Sequence, residues 1–426
     1  MGSLIVQKFG GSSVKDPACI QRVAHRLASA HSAGYKVVGV VSAMGDTTDQ
    51  LLKLAGCVSE HPCQPHLDAL LMTGELIPTT LLAMALADLG VSARTFTGKQ
   101  AGVLTDHAYG HAHIVEVKPH RVRDWVDQGG IAIVAGFQGR VRKKKREITT
   151  LGRGGSDLTA VALAAALGAS ICEIYTDVDG VYTADPRVVP SARKIDALSS
   201  EAMLELAASG AGILHLRSVE YARRWNIPIH VRSSFTQNPG TLVLPCLDGN
   251  RRRSAGEQPV VSMVTSNNSA ATVTIADVPG RPEATVGIFE GLIKSGVAFT
   301  TISQASHALD HTSSDVVFAL PSAEASTAVA TLTALQETIG FSSVQVQDRM
   351  GRITVSGLGM RSSAEVLFVF LRELSDANIP VQLMETSELS LSAVIPAESL
   401  PLAVARVEAA FGLGKAWSAL EEEGNS

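Results

Sequence analysis

The sequence predicts an α/β domain followed by two smaller α+β modules. Three observations support this prediction: strands alternate with helices up to about residue 237, a polar segment follows, and one pattern of elements then occurs twice. Such alternation gives an open, mostly parallel sheet with helices on both faces, and its ligands bind at the carboxyl ends of the strands.

Short apolar runs and amphipathic segments define the elements of the first region. The strand candidates are Leu4–Phe9, Lys36–Val41, Ala93–Thr97, Ile131–Phe137, Ile171–Thr176 and Ile229–Arg232. Helices are expected at Asp16–Ala33, Ile77–Leu89 and Leu158–Leu167, the last with Gly168 as its C-terminal cap.

A linker is predicted at 238–262, where Asn238-Pro239-Gly240 and the polar segment Asp248–Gln258 interrupt the apolar pattern. The order strand–helix–strand–strand–helix then repeats after roughly eighty residues, which predicts ferredoxin-like modules at 263–346 and 347–426. The first copy comprises Thr272–Ile275, Ala284–Gly296, Ala298–Ala305, Asp315–Leu320 and Ser322–Ile339. The second comprises Arg352–Ser356, Ser362–Ala377, Val381–Thr386, Glu388–Val394 and Glu398–Phe411.

Composition excludes several classes of protein. At 426 residues the chain is long enough for two or three domains, and a net charge of −5 argues against general nucleic-acid binding. The longest uncharged apolar stretch, Leu158 to Cys172, is shorter than the ~20 residues of a membrane helix, and the N-terminus has no signal-peptide pattern, so a cytoplasmic protein is expected. The five cysteines form no metal-binding or disulfide pattern and are interpreted as reduced packing residues: Cys19, Cys57, Cys63, Cys172 and Cys246.

One basic segment, Arg140–Arg146, contrasts with the acidic whole. The simpler interpretation is the solvated tip of a hairpin. The alternative is that it steers an anionic nucleotide toward the adjacent glycine turn.

That glycine turn, Gly152–Asp157, lies between a strand and a helix. Glycines let the backbone approach an anion, and the following helix directs free N–H groups at it. Arg153 offers a planar fork for a carboxylate or phosphate, and Asp157 can cap the helix or hold a lysine.

A second glycine turn follows the first strand in Ile5–Ser13. Lys8 lies inside this apolar strand, where an unpaired ammonium group would be costly, so a functional role is favoured. The turn lacks the spacing of a P-loop or a dinucleotide fingerprint. Two such turns at one sheet edge predict phosphoryl transfer between a nucleotide and a small acid.

Five motifs, in this order along the chain, resemble those of the aspartate kinases. They are Val6–Ser13, Val41–Asp49, Thr73–Glu75, Thr150–Asp157 and Tyr175–Arg187. The resemblance covers essentially the whole chain and implies an amino-acid-kinase-like αβα sandwich followed by tandem ACT domains. It further implies ATP-dependent phosphorylation of the side-chain carboxylate of L-aspartate to 4-phospho-L-aspartate, the first step toward lysine, threonine and methionine. Mg²⁺ bound to the nucleotide phosphates, and a homo-oligomer formed through the ACT domains, are implied as well.

The resemblance also implies residue roles. Lys8 and Asp157 are the catalytic candidates, with Asp157 organising Lys8. The aspartate site is implied to comprise Ser42, Thr47, Thr48, Glu75, Arg153 and Ser156, with Arg153 on the α-carboxylate and Glu75 on the ammonium group. The ATP contacts are implied to be Lys8, Gly10, Gly11, Ser12, Thr176, Asp177, Tyr182 and Arg187, and no protein metal site is expected. For Ser12 and Thr47 a turn-capping role is an open alternative, and Asp179 and Asp185 are interpreted as turn residues.

Three departures from the family pattern concern the catalytic half. Gly212 replaces a lysine implied to meet the ATP phosphates, and Leu76 and Pro78 replace the usual arginine and serine after Glu75. Arg187, the 142–146 run or Mg²⁺ are the candidates for replacing the missing charge. The departures keep two alternatives open: a relative with another acceptor or a specialised-metabolite role, and a non-catalytic partner subunit.

The regulatory half departs as well. Gly280–Glu283 replaces the Asp-x-Pro-Gly effector turn, Gln304-Ala305 replaces a Gln-Asn pair, and Ser390 replaces a basic residue. We therefore expect ACT modules that act as a dimerisation scaffold, with weakened lysine and threonine feedback.

Overall fold

The computed structural model describes residues 2–142, 147–187, 189, 191–208, 213–245, 260–306, 313–358, 364–387 and 389–413. These residues fall into two compact units. The first lies within Met1–Val181, Lys194–Ala208 and Gly212–Arg253, and the second includes Tyr182–Arg193 and the chain from Ser254 onward.

The first unit is built from strands and helices in alternation, as predicted. Its strands are β1 (Leu4–Phe9), β2 (Lys36–Val41), β3 (Ala93–Phe96), β4 (Val103–Thr105), β5 (Ile114–Val117), β6 (Ile131–Ala135), β7 (Gln138–Val141), β8 (Ile148–Thr150), β9 (Ile171–Thr176), β10 (Ala197–Ser199), β11 (Ile229–Ser233) and β12 (Thr241–Leu244). Its helices are α1 (Pro17–Ser32), α2 (Thr47–Val58), α3 (Gln64–Leu71), α4 (Thr73–Asp88), α5 (His120–Asp127), α6 (Gly155–Leu167), α7 (Ser200–Ala208) and α8 (Leu216–Arg224).

An eight-stranded sheet forms the centre of this unit. Its strand order is β10-β12-β11-β9-β1-β2-β6-β3, and only the β11–β12 pair is antiparallel. The predicted open, mostly parallel sheet is therefore confirmed. Strand β1 lies between β2 and β9, with Lys8 level with Val40 and Ile174.

Helices α1 and α6 cover opposite faces of β1. Helix α1 begins where the Asp16 carboxylate accepts a hydrogen bond from the Cys19 N–H at 2.8 Å, followed by a proline in the first turn. Helix α6 ends at Gly168, whose φ of +65° confirms the predicted cap. It begins at Gly155, three residues before the predicted start, so Ser156 and Asp157 lie in its first turn.

A second, four-stranded sheet of order β5-β4-β7-β8 was not predicted. Its strands have only three or four residues, too few for a period-two pattern to be read. The antiparallel β7–β8 pair agrees with the predicted hairpin around Arg140 and Arg142. The tip residues 143–146 lie outside the described part of the chain.

The helical run Gln64–Asp88 has the length and hydropathy of a membrane span. It contains the buried carboxyl groups of Asp68 and Glu75, and Leu82 and Leu86 pack in the core of the sheet. This packing identifies the run as a core helix pair of the first unit.

The second unit contains one antiparallel sheet of order β14-β15-β13-β16-β18-β17. Its strands are β13 (Val260–Pro279), β14 (Thr300–Ser306), β15 (Ser313–Pro321), β16 (Ser343–Leu358), β17 (Leu383–Thr386) and β18 (Ser390–Pro396). Its helices are α9 (Pro282–Lys294), α10 (Ala325–Ile339), α11 (Ala364–Asp376) and α12 (Leu400–Ala410). The strand–helix–strand–strand–helix order occurs twice, as predicted.

Two hydrophobic cores of this unit, one beneath α9 and α10 and one beneath α11 and α12, are not contiguous in sequence. The first half of β13 contributes Val264 to the core beneath α11 and α12, whereas its second half belongs to the core beneath α9 and α10. Val344 and Val346, at the start of β16, pack against the core beneath α9 and α10. β13 is therefore shared by both cores: Val264 falls within the predicted first module, 263–346, yet packs in the second core, whereas Val344 and Val346 pack in the core of the predicted first module.

The segment Tyr182–Arg193 also belongs to this unit, although it lies within the range 1–237 predicted for the catalytic domain. Ala184 and Val189 pack in the α11–α12 core, and the Thr183 carbonyl accepts a hydrogen bond from the Val264 N–H at 2.7 Å. The unit is thus assembled from stretches of chain that are separate in sequence.

We predict that Val264→Ala destabilises the second module by about 1–2 kcal/mol, because it removes buried methyl groups from that core. Hydrogen exchange measured by mass spectrometry should rise in 364–376 and 400–410 and stay unchanged in 282–294. Val58→Ala, at a position of the first unit that is 84% exposed, is the matched control. A rise confined to α9 and α10 would contradict the assignment of Val264.

Candidate active site

The site is centred on an ion pair between Lys8 and Asp157. The Lys8 Nζ lies 2.5 Å from the Asp157 Oδ1, and the two side chains are only 11% and 12% exposed. Lys8 is the penultimate residue of β1, and Asp157 lies in the first turn of α6. The fold therefore places one cation and one anion together at the carboxyl edge of the sheet.

The Gly10-Gly11 turn joins this ion pair to the neighbouring strands. The Gly10 N–H donates to the Tyr175 carbonyl at 3.2 Å, and the Gly45 N–H donates to the Gly11 carbonyl at 3.1 Å. A methyl group on Gly11 would lie 2.9 Å from the carbonyl oxygens of Ala43 and Gly45, so a side chain does not fit there. Ser12 is half-buried in the same turn.

The Gly152–Asp157 turn adopts the left-handed conformation at Gly152 and Gly154, with φ of +78° and +69°. Arg153 between them is exposed, and no carboxylate among the described residues pairs with it. Ser156 is buried against the backbone of Gly136, where a methyl group would lie 2.7 Å from its hydroxyl oxygen. Arg153 is therefore available to a ligand, while Ser156 packs on the end of β6.

Asp68, which was not predicted from the sequence, stabilises the backbone next to this turn. Its fully buried carboxylate accepts hydrogen bonds from the N–H groups of Gly110 and Thr150 at 3.0 and 2.9 Å, and from the Thr150 hydroxyl at 2.9 Å. A buried carboxylate in an apolar helix is a signal that the sequence does carry, although it does not name the partners.

Arg217 and His215 hold the turn from the side of α8. The Arg217 guanidinium donates to the carbonyls of Leu151 and Ala112 at 2.7 and 2.8 Å. The His215 ring packs directly on Gly154, and burial lowers the pKa of this half-buried ring. Neither residue was predicted, because both act through backbone groups that are distant in sequence.

Glu75 is a buried carboxyl group beside the turn that follows β2. Its Oε1 accepts a hydrogen bond from the Ala43 N–H at 3.3 Å, and its Oε2 has no hydrogen-bond partner within the described chain. Burial raises the pKa of Glu75 to about 8. A buried acceptor without a partner suits a ligand that brings its own ammonium group.

Three hydroxyl candidates lie in this turn and at the start of α2. Ser42 and Thr48 are half-buried, and the Ser42 N–H donates to the Phe9 carbonyl at 3.1 Å. The Thr47 hydroxyl donates to the Met44 carbonyl at 2.5 Å. Thr47 thus performs the turn-closing role that was its open alternative.

The predicted nucleotide segment divides between the two units. Thr176 ends β9 in the first unit and Asp177 follows it, and the Thr176 hydroxyl donates a 3.0 Å hydrogen bond to the Asp177 carboxylate. Tyr182 and Arg187 belong to the second unit, where the Arg187 guanidinium donates to the Asp185 carboxylate at 2.8 Å. Gly212 lies outside the described residues.

The two aspartates interpreted as turn residues are both engaged locally. Asp179 accepts hydrogen bonds from the Thr236 hydroxyl and from the Asn238 amide at 2.9 Å, and the Thr236 bond in particular lowers its pKa. The Arg187 hydrogen bonds lower the pKa of Asp185. Within the described residues no cluster of three or more metal-ligand side chains occurs.

Comparison with known proteins identifies the lineage of this arrangement. The amino acid kinase family matches over residues 3–233, and the ACT domain matches over 353–411. An aspartokinase of Mycolicibacterium smegmatis is 47% identical over 412 residues, which cover 97% of each chain. This chain belongs to the aspartokinase family.

Solved structures agree with this assignment. Aspartate kinase from Synechocystis is 36% identical with a TM-score of 0.53, over 96% of this chain and 70% of that one. E. coli aspartokinase III, solved with aspartate and ADP, matches in fold with a TM-score of 0.78 at 24% identity, over 96% of this chain and 99% of that one.

The predicted family, fold class and activity are therefore confirmed. The chain is an aspartate kinase, a phosphotransferase that uses a carboxyl group as acceptor. The alternatives of another acceptor or of a non-catalytic partner subunit, which Leu76, Pro78 and Gly212 kept open, receive no support from these relatives.

We predict that Asp68→Ala loosens the Gly152–Asp157 turn by about 3 kcal/mol or more, because three buried donors lose their acceptor. Hydrogen exchange in 148–155 should accelerate and the KM for aspartate should rise. Asp68→Asn, which keeps one acceptor oxygen, should have a smaller effect. Asp88→Ala, at the exposed end of α4, is the control; equal exchange in the Asp68→Ala and Asp88→Ala variants would disprove the role.

Proposed function

We propose that this aspartokinase carries out phosphoryl transfer at the Lys8–Asp157 pair, with aspartate held between Arg153 and Glu75. The observation that supports this proposal is the nearly buried ion pair at the carboxyl edge of the parallel sheet. Phosphoryl transfer needs positioning and charge stabilisation more than covalent chemistry. A fixed ammonium group at this edge supplies that charge.

Lys8 is assigned to the transferring phosphoryl oxygens. Asp157 keeps the Lys8 ammonium in one position before the substrates arrive, which is the preorganisation that electrostatic catalysis requires. The free N–H groups of the first turn of α6 add partial positive charge on the same side.

The aspartate site is assigned to two groups beside the ion pair: Arg153, which is flanked by glycines, and the buried Glu75. Arg153, exposed and without a carboxylate partner in the described chain, suits the α-carboxylate of L-aspartate. Glu75, with a buried unpartnered oxygen, suits the ammonium group. Ser42 and Thr48 are assigned to the side-chain carboxylate, and Ser156 and Thr47 to the walls of the same site.

The nucleotide is assigned to the Gly10–Ser12 turn and to Thr176 and Asp177, with Tyr182 and Arg187 as further contacts. Mg²⁺ enters with the ATP phosphates in this proposal, since the described residues offer no protein cage for it. The metal would neutralise phosphate charge there.

A homo-oligomer is assigned to the ACT modules. Helix α9 exposes Val286 and Ile293, at 63% and 64%, and β14 exposes Ile302 at 51%. Large apolar side chains grouped on one module suit a protein contact.

The replaced effector turn, in which the Arg281 side chain donates to the Ile339 carbonyl, supports weakened feedback. The oligomer is assigned to the cytoplasm.

The direct test is a hydroxamate assay of the purified protein with ATP, Mg²⁺ and a panel of amino acids. Acyl phosphate should form with L-aspartate and not with glutamate or asparagine. Lysine and threonine, alone and together, should inhibit little. Strong inhibition by lysine or threonine would disprove the proposal of weakened feedback, but it would not contradict the aspartate kinase activity.

We predict that Lys8→Ala and Asp157→Ala each lower kcat at least about 100-fold, because each removes one half of the charge arrangement. The double variant should be no worse than Lys8→Ala alone, since the two residues act as a unit. Circular dichroism confirms folding, and Lys36→Ala, whose lysine pairs with Asp127, is the control. Near-normal kcat in a folded Lys8→Ala enzyme excludes the assigned role.

We predict that kcat/KM for aspartate rises with pH up to about 8 and levels above it. Burial holds Glu75 protonated below that pH, whereas an ammonium group binds to the carboxylate form. Because the folded protein keeps a proton on Glu75 that the unfolded chain loses above about pH 4.5, the stability that this group contributes is fully present below that pH and is lost as pH rises from about 4.5 to about 8. Glu75→Gln should lower kcat/KM and flatten the profile, and Glu201→Gln should not. If kcat/KM of the Glu75→Gln variant rose with pH in the same way, a group other than Glu75 would be responsible for the rise.

We predict that Gly212→Lys raises kcat by about tenfold or more by restoring a cation beside the ATP phosphates. This prediction rests on the sequence alone. Gly212→Ala is the control for backbone freedom. A folded Gly212→Lys enzyme with unchanged kcat would mean that Arg187 or the 142–146 run has replaced the missing charge, and neutralising these residues in turn would show which.

A further inference from the structure

A cavity of about 670 Å³ lies between α1 and strands β1, β9 and β11 of the first unit. This volume is within the range of small-molecule sites. Among its polar lining residues are Gln7, Arg22, Arg26, Glu173, Tyr175 and Arg232. None of them takes part in the mechanism proposed above.

The cavity lies on the opposite face of the sheet from the Lys8–Asp157 pair. Successive residues of a strand point to opposite faces, so Gln7 faces α1 where Lys8 faces α6. Gln7 is level with Glu173 of β9, and Tyr175 is level with Arg232 of β11. The cavity is therefore a second polar site that shares strands, but not side chains, with the catalytic one.

The floor of the cavity is an ordered network around Glu173. Its carboxylate accepts hydrogen bonds from Gln7 at 2.6 Å, from the Tyr175 hydroxyl at 2.9 Å and from Arg232 at 3.2 Å. Two polar atoms of this network have no partner among the described residues: the Gln7 Oε1 and the Arg232 Nε. Gln7 is only 2% exposed, so an acceptor without a partner there is costly unless a ligand satisfies it.

The wall of the cavity carries excess positive charge. Arg22 and Arg26 lie one turn apart on α1. Arg22 donates to the Cys19 Sγ at 3.7 Å and Arg26 donates to the Thr236 carbonyl at 3.2 Å, and neither pairs with a carboxylate of the described chain. Aromatic faces orient them: Arg26 lies 4.6 Å from the centre of the Tyr175 ring, and Arg22 lies 5.1 Å from that of Phe235. With Arg232 opposing the one glutamate, the lining has three guanidinium groups and a single carboxylate.

We propose that this cavity binds a small metabolite that carries a carboxylate or phosphate group, at a site separate from the active site. The oxyanion lies against Arg22 and Arg26, whose planar forks match two oxygens of either group. An O–H or N–H of the same ligand donates to the Gln7 Oε1.

The experiment is calorimetric titration of the full chain with inorganic phosphate, citrate and tricarballylate. All titrations use the Arg153→Ala background, which removes the arginine assigned to the substrate carboxylate. Only the binding that Arg22→Gln weakens is attributed to the cavity, because Lys8 can still bind phosphate in the active site. Citrate and tricarballylate differ only in the hydroxyl group that can reach Gln7. Binding by phosphate alone or by the carboxylates alone tells which oxyanion the site takes, and a preference for citrate over tricarballylate supports the Gln7 contact.

Arg22→Gln should weaken the binding at least about tenfold, because a charge-assisted bidentate contact is lost. Arg22 is exposed, so the variant keeps its fold and its aspartate kinase kcat. Arg121→Gln, an equal change of charge at another exposed position of the unit, should leave binding unaltered. Gln7→Met should abolish the preference for citrate. The proposal is overturned if none of the three probes binds at millimolar concentration, or if Arg22→Gln binds them as tightly as Arg121→Gln does.

Discussion

The nearly buried contact between Lys8 and Asp157 is the constraint on which the catalytic half depends. Either charge alone would be expensive at 11–12% exposure, so each requires the other. The pair also fixes where α6 begins relative to β1. The glycine turn before α6 must then adopt left-handed backbone at Gly152 and Gly154, and the exposed Arg153 between them is presented to the ligand. The ion pair, the glycine turn and Arg153 thus lie together at one edge of the sheet.

Much of this edge could be predicted from the sequence, because strands and glycine turns carry local signals. The limits of β1, β2 and β9 match those predicted, since each strand is a short apolar run bounded by turn residues. A lysine inside β1 demands a partner, and Asp157 is the partner found. The residues that support the turn were not predictable in the same way. Asp68 and Arg217 bind backbone groups of Thr150 and Leu151. Because every residue carries the same backbone groups, the sequence does not indicate which of them a side chain will bind.

The second unit shows where a linear division of the chain fails. Repeated elements predicted two modules, and the repeated order is present. Yet β13 and β16 each cross both cores, so Val264 is buried beneath helices that begin a hundred residues later. Tyr182–Arg193 joins the same core from within the catalytic sequence. Periodicity reports which residues are buried, but long strands can distribute them between two cores.

The alternation of side chains along β1 connects the two polar sites of the first unit. Lys8 reaches the active site and Gln7 reaches the cavity beneath α1, one residue apart on the same strand. On β9, Glu173 and Tyr175 line the cavity just before Thr176 and Asp177, which are assigned to the nucleotide. Because β1 and β9 are paired along their length, a ligand that contacts Gln7 lies against the two strands that lead into the catalytic turns. A central parallel sheet can therefore carry chemistry on one face and a binding site on the other, with the strands themselves as the shared element.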